Sequence, residues 1–389
     1  MKKLVIVFII FFFFIFSLGN LSSNELNEIA FVYGLGVDKT KDGYRVSMQI
    51  VNPHPLNTPT DKPSVVVYED EAKSIGKAVE LVSKKTPREL NLSQIQVVLV
   101  GEQLAKKQGM NDVLNYLLRK SGLSSTVDVL VMNHMKAFDA LRVFSAVEEI
   151  PTSEILKTVI NTEENWGSHQ RVFPPQLKAE ILSTGKEAIV PTLSTSGNIK
   201  SAEKKKNLEQ LAPKSYLQLS GLTVLRGDKK VGWLNDKLSR VYYLLKGKLK
   251  SSYFTSPCSK HEEFGLTIIK AKTDIKGSIV DGNPLFNIRT KIVGDLDELN
   301  CNMDISNPSN IKSLEKEMEK EVKKQIVQLI KKSQKLQSDF IGFGDVLRID
   351  DKSEWKKIDE RWKQAYLESE FDIKVKVIIR NYGDTNLTS

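Results

Sequence analysis

The chain has 389 residues, 40% hydrophobic and 27% charged. This composition excludes a disordered polypeptide and leaves room for roughly two or three domains of usual size. A formal net charge of +9 is spread over short lysine-rich pieces, with Lys204-Lys205-Lys206 the only uninterrupted triple. Charge dispersed in this way suits solvated faces beside an anionic membrane. No zinc-finger spacing, RNA-binding aromatic signature or helix-turn-helix pattern stands out, so nucleic acid is not an expected partner.

The N-terminus opens with Met1-Lys2-Lys3, then an apolar run from Leu4 to Leu18 broken only by Ser17. A basic start before an apolar run of ~15 residues reads as an export signal. The run is short of the ~20 residues that span a bilayer comfortably. Cleavage before Asn20 and retention as an uncleaved anchor both remain open, so residues 1–19 are read as signal peptide or anchor.

After it, Phe31 to Asp38 reads as a strand ending in a Gly-x-Gly turn, Gly34-Leu35-Gly36. Position 39 is Lys, so the third glycine of a phosphate-cradling loop is missing. Lys41-Asp42-Gly43 predicts a hairpin, with Tyr44 to Val51 as the returning strand. Residues 52–63 hold four prolines and suggest a surface arm. Val65–Tyr68 resumes strand character, and Ile75, Ala78, Val79 and Val82 then recur at helical spacing. Ile95 to Gly101 is nearly all apolar, as a central buried strand would be. Helices at 110–120 and 135–144 flank a strand at 126–132, so the alternation predicts a sheet covered by helices. Further helices at 151–160 and 174–182 and a strand at 188–193 extend this N-terminal α/β-type domain over 20–196.

The polar stretch 197–213 reads as a linker. A hairpin-helix unit follows at 214–258, in which Leu217–Leu225 and Val231–Leu234 are joined by Arg226-Gly227-Asp228-Lys229-Lys230. The Arg-Gly-Asp triplet is turn vocabulary, and an adhesive role is not inferred. The remainder, 259–389, is read as a sheet with a long helix. Strands at 263–272 and 285–293 pair about Asp281-Gly282-Asn283-Pro284, and Asn307-Pro308-Ser309-Asn310 provides the cap signals for the helix. Ile311, Leu314, Met318, Val322, Ile326, Leu329 and Leu336 make one buried stripe along it. At ~1.5 Å per residue it would reach roughly 40 Å. Packing on the chain's own sheet is preferred to a coiled-coil partner, because the last strand, Phe371–Val377, needs cover. The expected class is therefore α+β and multi-domain. It comprises an N-terminal mixed sheet domain, a small middle unit, and a C-terminal antiparallel sheet packed on a long helix.

Cys258 and Cys301 are too few for a disulfide-dense scaffold. They flank the predicted strand pair, so contact is geometrically open, and buried free thiols are the favoured reading. Catalytic chemistry is not apparent. The four histidines, His54, His134, His169 and His261, lie far apart, and no His-Glu-x-x-His, Gly-x-Ser-x-Gly or Walker loop is present. Glu148-Glu149 and Glu163-Glu164 are read as solvated surface. No catalytic, cofactor-binding or metal residue is assigned.

Taken in order, these pieces resemble the C-subunit family of spore germinant receptors, lipoproteins of endospore-forming bacteria. The segment Glu25–Ala30 with Gly34-Leu35-Gly36-Val37-Asp38 looks like the family's opening signature, and Gly101-Glu102-Gln103-Leu104-Ala105 like its mid-domain motif. Gly221-Leu222-Thr223-Val224 with Val231-Gly232-Trp233-Leu234 resembles the start of its second half. Ile341-Gly342-Phe343-Gly344, then Trp355 and Trp362, resemble its closing signature. The motif positions Glu25, Gly34, Gly36, Asp38, Gly221, Gly232, Trp233, Gly342, Gly344, Trp355 and Trp362 are expected to be structural.

The sequence departs from the family at the lipobox, where Asn20 stands at the Cys position and Leu21-Ser22 replace Trp-Asp. Without a thiol at residue 20, lipid attachment is not expected. The resemblance implies a non-enzymatic subunit without cofactor on the outer face of the spore inner membrane. It would act with two integral-membrane subunits to trigger germination, with nutrient contact unassigned. The rival reading is an exported binding protein that captures a small ligand between its domains.

Overall fold

The computed structural model describes residues 28–52, 63–207 and 209–381. The leader, Asn20, Glu25, His54 and most of the proline-rich arm lie outside the described residues.

Nine strands form one sheet: β1 (Ile29–Lys39), β2 (Tyr44–Val51), β3 (Val65–Ala72), β4 (Glu89–Asn91), β5 (Val97–Val100), β6 (Asp128–Met132), β7 (Ile189–Ser196), β8 (Tyr216–Arg226) and β9 (Lys229–Leu234). The order is β3-β2-β1-β5-β6-β7-β8-β9, with β4 added to the start of β1. The centre, β1-β5-β6-β7, is parallel, and an antiparallel hairpin closes each edge. Every residue of β5 and β6 is buried, because helices cover both faces. Alternation divides the core in two. Val98, Val100, Val129 and Val131 face the helices Ile75–Ser83, Asn111–Arg119 and Pro174–Ile181. Val97, Leu99, Leu130 and Met132 face Ala137–Leu141 and Pro151–Asn165.

The 214–258 stretch differs from the small separate unit that its sequence suggests. Its hairpin is the far edge of the large sheet, since β8 pairs with β7 across the intervening polar excursion, Ile189 opposite Val224. The inner side of that hairpin, Leu222, Val224 and Leu234, belongs to a third core. This core is shared with the helix Asp236–Leu245, the second sheet and the long helix. A local hydrophobic pattern identifies the hairpin but not the sheet it joins.

The second sheet runs β10 (Ser252–Pro257), β11 (Glu263–Val280), β12 (Asn283–Leu299) and β13 (Glu370–Asn381). It is antiparallel through β12, and β13 joins parallel to β12. A two-residue turn, Asp281-Gly282, joins β11 to β12 with φ positive at both positions (49° and 82°). The helix Pro308–Lys335, capped by the Asn307 side chain, packs its apolar stripe on this sheet. It also shields the outer edge of β13, where Glu319 and Glu315 accept from the Val377 and Ile379 amides at 3.1 and 3.0 Å. An edge strand covered in this way offers no free ladder to another chain.

Cys258 and Cys301 are not free thiols but form a disulfide, with Cα atoms 6.3 Å apart. β10 and β12 both pair with β11, so the end of β10 and the end of β12 meet beside Phe264. The bond closes a loop with a sequence separation of 43. Replacing both cysteines with serine is expected to cost up to about 4 kcal/mol through loop entropy. The check is urea unfolding of the variant, with the wild type run in parallel with and without dithiothreitol. A difference below about 1 kcal/mol would mean that this end of the sheet is already fixed by packing.

Candidate functional site: the junction of the motif residues

The opening motif does not end in a turn. Gly34 and Gly36 lie inside β1, where the strand must admit a helix at close range. A Cβ on Gly34 would land in the Thr152 methyl, and one on Gly36 would stand 3.0 Å from Leu141 Cδ1 and 3.2 Å from Ala137 Cβ. Asp38, buried at the end of the motif, fixes that helix from below. Its Oδ1 accepts from the Ala137 amide and its Oδ2 from the Phe138 amide, both at 2.9 Å. Burial pushes the Asp38 carboxyl above its usual range, and the two amides offset only part of this. The mid-domain motif packs against the same carboxylate, since Gly101 donates to Val37 O at 2.9 Å and a Cβ on Gly101 would fall on Asp38.

The next residue, Glu102, reaches the far edge of the sheet. Its Oε1 accepts from Lys230 Nζ at 2.9 Å and from Lys106 Nζ at 3.0 Å. Lys230 also donates to Asn133 Oδ1 at 3.1 Å. The Glu102 and Lys230 side chains are 7% and 4% exposed, so this pair is inside the protein. Burial raises the Glu102 carboxyl, but Lys230 and Lys106 more than offset it and hold the group below its usual value. Burial lowers the Lys230 ammonium, with Glu102 restoring part of the loss.

On the same hairpin, Gly221 takes φ +67°, and its amide donates to Asp236 Oδ1 at 2.8 Å. Trp233 Nε1 donates to Ser220 O. Gly232 lies under Leu336, at the end of the long helix. The Arg-Gly-Asp turn is structural as well. Asp228 receives the Met110 and Asn111 amides, Gly227 donates to Glu187, and Arg226 donates to Gln337.

The closing motif is organised around Asp339. Gly342, with φ +86°, starts the helix Phe343–Asp350 in a conformation that favours glycine. Asp339 Oδ1 accepts from the Gly342 and Phe343 amides at 2.8 and 3.0 Å. Its Oδ2 accepts from the Gly344 amide at 2.9 Å and from Trp362 Nε1 at 3.2 Å. Burial nevertheless pushes this carboxyl up to about 6, against the four donors. Gly344 passes between Gly185 O and the Trp362 indole, each of which would lie 2.7 Å from a Cβ there. Phe343 packs at a tilt against Phe286 and Phe371 with ring centroids at 4.7 and 5.0 Å, and Trp355 meets Trp362 at 5.4 Å.

This segment holds three layers at once. Glu187 N donates to Asp339 O (3.0 Å) and Asp345 N to Gly185 O (2.9 Å), tying it to the loop before β7. Ser338 Oγ donates to Leu225 O in β8 (2.6 Å), and Lys246 Nζ, after the helix Asp236–Leu245, donates to Ile341 O (3.0 Å). The motif residues thus form a chain of buried, hydrogen-bonded joints from β1 through the hairpin to the second sheet.

Among the described residues no cluster of three His, Cys, Asp or Glu side chains could hold a metal. His169, which burial pulls down to about 4, has Ser168 Oγ at 3.0 Å from Nδ1, while Nε2 is 3.9 Å from Asp236. That separation is too long for a hydrogen-bonded acid–base dyad. A cleft of ≈ 630 Å³ opens elsewhere, lined by Glu80, Asn91, Ser93, Tyr116 and Lys120. It lies within the first sheet's helical layer, not between the two sheets.

Residues 220–383 match the family described as spore germination B3/GerAC like, C-terminal, and residues 22–195 match the spore germination protein N-terminal domain. The chain belongs to the C-subunit family of spore germination proteins. Spore germination protein KC of Bacillus subtilis (strain 168) is 26% identical, with 95% of this chain and 93% of that protein covered. Spore germination protein B3 of the same organism is 24% identical, with 92% of each chain covered. The crystal structure of the GerBC protein has the same fold, with a TM-score of 0.57 at 22% identity, covering 90% of this chain and 97% of that one.

Three residues that carry the junction of this spore germination protein were not singled out from its sequence. Asp339 precedes Gly342 by three positions, the spacing of a capping signal. Glu102 sits inside a motif, but nothing local marks its partner. Lys230 is the last residue of an apparently ordinary turn.

Proposed function

We propose that this chain is a non-enzymatic subunit of a nutrient receptor complex. It would be held on the outer face of the spore inner membrane and work with two integral-membrane subunits to trigger germination. The observation that carries the reading is that both family domains are present in order. The motif residues support it, since they build fixed internal joints suited to transmitting or holding a geometry rather than to bond chemistry. Among the described residues no helix is long and apolar enough to cross a membrane. Asn20 leaves no thiol for a diacylglycerol at the lipobox position, so attachment would depend on the apolar leader, on partners or on the protein surface. The test is deletion of the coding sequence in a strain without redundant receptors, with germination followed as the fall in optical density on a panel of nutrients. Loss of at least one response that the intact gene restores supports the reading. Unchanged germination with every nutrient overturns it.

The second reading, a solute-binding protein, draws on the cleft beside Tyr116, whose hydroxyl is buried without a hydrogen-bond partner. It requires a nutrient to raise the melting temperature of the isolated protein, and Tyr116→Phe to change that rise.

A further inference from the structure

The outer face of the second sheet carries an unusual row of like charges. Side chains alternate along each strand, so Phe286, Ile288 and Ile292 point into the core while Arg289 and Lys291 point away from it. The register places Lys272 of β11 directly opposite Lys291 of β12, and Lys291 directly opposite Lys376 of β13. All three are exposed. Like charges in directly opposed positions are unfavourable, and here three occupy one row. Lys376 is relieved by Glu319 at 3.1 Å, whereas Lys272 and Lys291 make no ion pair among the described residues. The neighbouring rows do not reverse the sign. Lys270 stands opposite Val293, and Val293 opposite Ile378. Asp274 faces Arg289, with Lys374 on the other side, and Asp372 is already bound to Arg289. Asp295 is likewise held by Arg380, and Asp297, at the end of the face beyond Ile269, accepts from Thr267 Oγ1, so the cationic stretch ends there.

Beside the ladder the face is partly apolar. Ile269, set out at a bulge next to Lys270, is 43% exposed, and Val293 and Ile378 are only half-buried. The surface is one face of a four-stranded sheet. Its cations are spread at the ~4.8 Å spacing of neighbouring strands. A flat, cationic array interleaved with aliphatic side chains is complementary to a laterally uniform anionic surface whose acyl region lies just below its charges.

We infer that this face docks on an anionic phospholipid bilayer, with Lys270, Lys272 and Lys291 facing the headgroups and Ile269 at the acyl boundary. The membrane placement rests on the function proposed above, but the contact is testable without it. A chain that binds vesicles but has no role in germination would separate the two.

The experiment uses the full chain and vesicles of phosphatidylglycerol mixed with phosphatidylcholine, against phosphatidylcholine alone, measured by co-sedimentation at low salt. The leader, with Met1-Lys2-Lys3 at its start, adds the same preference for anionic vesicles to every variant, so the ladder is read from the wild type against the variants on the same vesicles. Binding to the anionic vesicles should be at least tenfold tighter and should weaken as salt rises. The triple variant Lys270→Gln, Lys272→Gln, Lys291→Gln should lose on the order of a hundredfold, about fivefold per lysine near the surface. A control triple, Lys200→Gln, Lys204→Gln, Lys206→Gln, should bind as the wild type does. Lys291→Gln alone should also raise the melting temperature, because it relieves the repulsion in the row. Equal binding to both vesicles, an unaffected ladder variant, or an equal loss in the control triple would each overturn the assignment. So would a soluble nucleic-acid duplex that binds the same lysines as tightly as the vesicles do.

Discussion

Replacing Asp339 with alanine is expected to destabilise the chain by roughly 3–5 kcal/mol, a magnitude seen when buried polar partners are stranded. The carboxylate receives the Gly342, Phe343 and Gly344 amides and the Trp362 indole, all in a buried site. Each donor left without a partner would cost about 1–3 kcal/mol, partly offset because a desolvated charge is removed and the segment can relax. Asparagine is a poor rescue. Whichever way its amide points, its NH2 group faces backbone or indole donors. The pH dependence separates this role from simple packing. Burial raises the Asp339 carboxyl from 3.8 to about 6, so the folded chain keeps that proton to higher pH than the unfolded chain does. Its contribution therefore favours the fold fully below pH 3.8 and is lost as pH rises through about 6, a change of about 3 kcal/mol at 1.36 kcal/mol per pKa unit. Urea unfolding of the wild type and Asp339→Ala between pH 4 and 7.5 measures both effects. A loss under 1 kcal/mol at every pH, or a pH slope unchanged in the variant, would remove Asp339 from the centre of the junction.

Much of the architecture was legible because it depends on local periodicity. The apolar run at Ile95–Gly101 becomes β5, buried on both faces, and the stripe from Ile311 to Leu329 becomes the buried face of the long helix. Asp281-Gly282 turns a hairpin, although its strands run much further than the alternation suggested. The failures share a cause, in that each depended on a neighbour distant in sequence. Gly34 and Gly36 look like turn residues until a helix about a hundred residues later needs the space. The cysteines look inert until two antiparallel pairings bring them together. The hairpin at 216–234 looks independent because its partner β7 precedes a polar excursion. The motif resemblance included Asp38, but neither Asp339 nor Lys230, the partner of Glu102. A buried Asp or Glu announces itself only when its donors are in place.

The Glu102–Lys230 pair shows what such joints contribute, and it is the second large effect expected. Lys230→Met should cost roughly 3–5 kcal/mol, because it leaves a carboxylate inside the protein with only the half-exposed Lys106 and the exposed His134 ring, 3.8 Å away, beside it. Glu102→Leu should cost a similar amount, by stranding the ammonium beside Asn133. The double variant should recover most of the loss, since replacing a buried ion pair with apolar groups is often close to neutral. A double-mutant cycle in urea isolates that coupling. Additive losses would show that the two side chains act independently. The pH dependence has the opposite sense to that of Asp339. Glu102 is held below its usual value, so its stabilisation is present above pH 4.5 and is lost as pH falls through the lowered folded value. The pair also joins the helix Glu102–Lys107 to β9, the last strand of the sheet and the one that meets Leu336 of the long helix. Without it, the amides of Val231–Leu234 should lose hydrogen-exchange protection before those of β5 do, because an edge strand opens before a central one. Uniform loss of protection across both strands would mean that the pair stabilises the fold as a whole and not the junction between its layers.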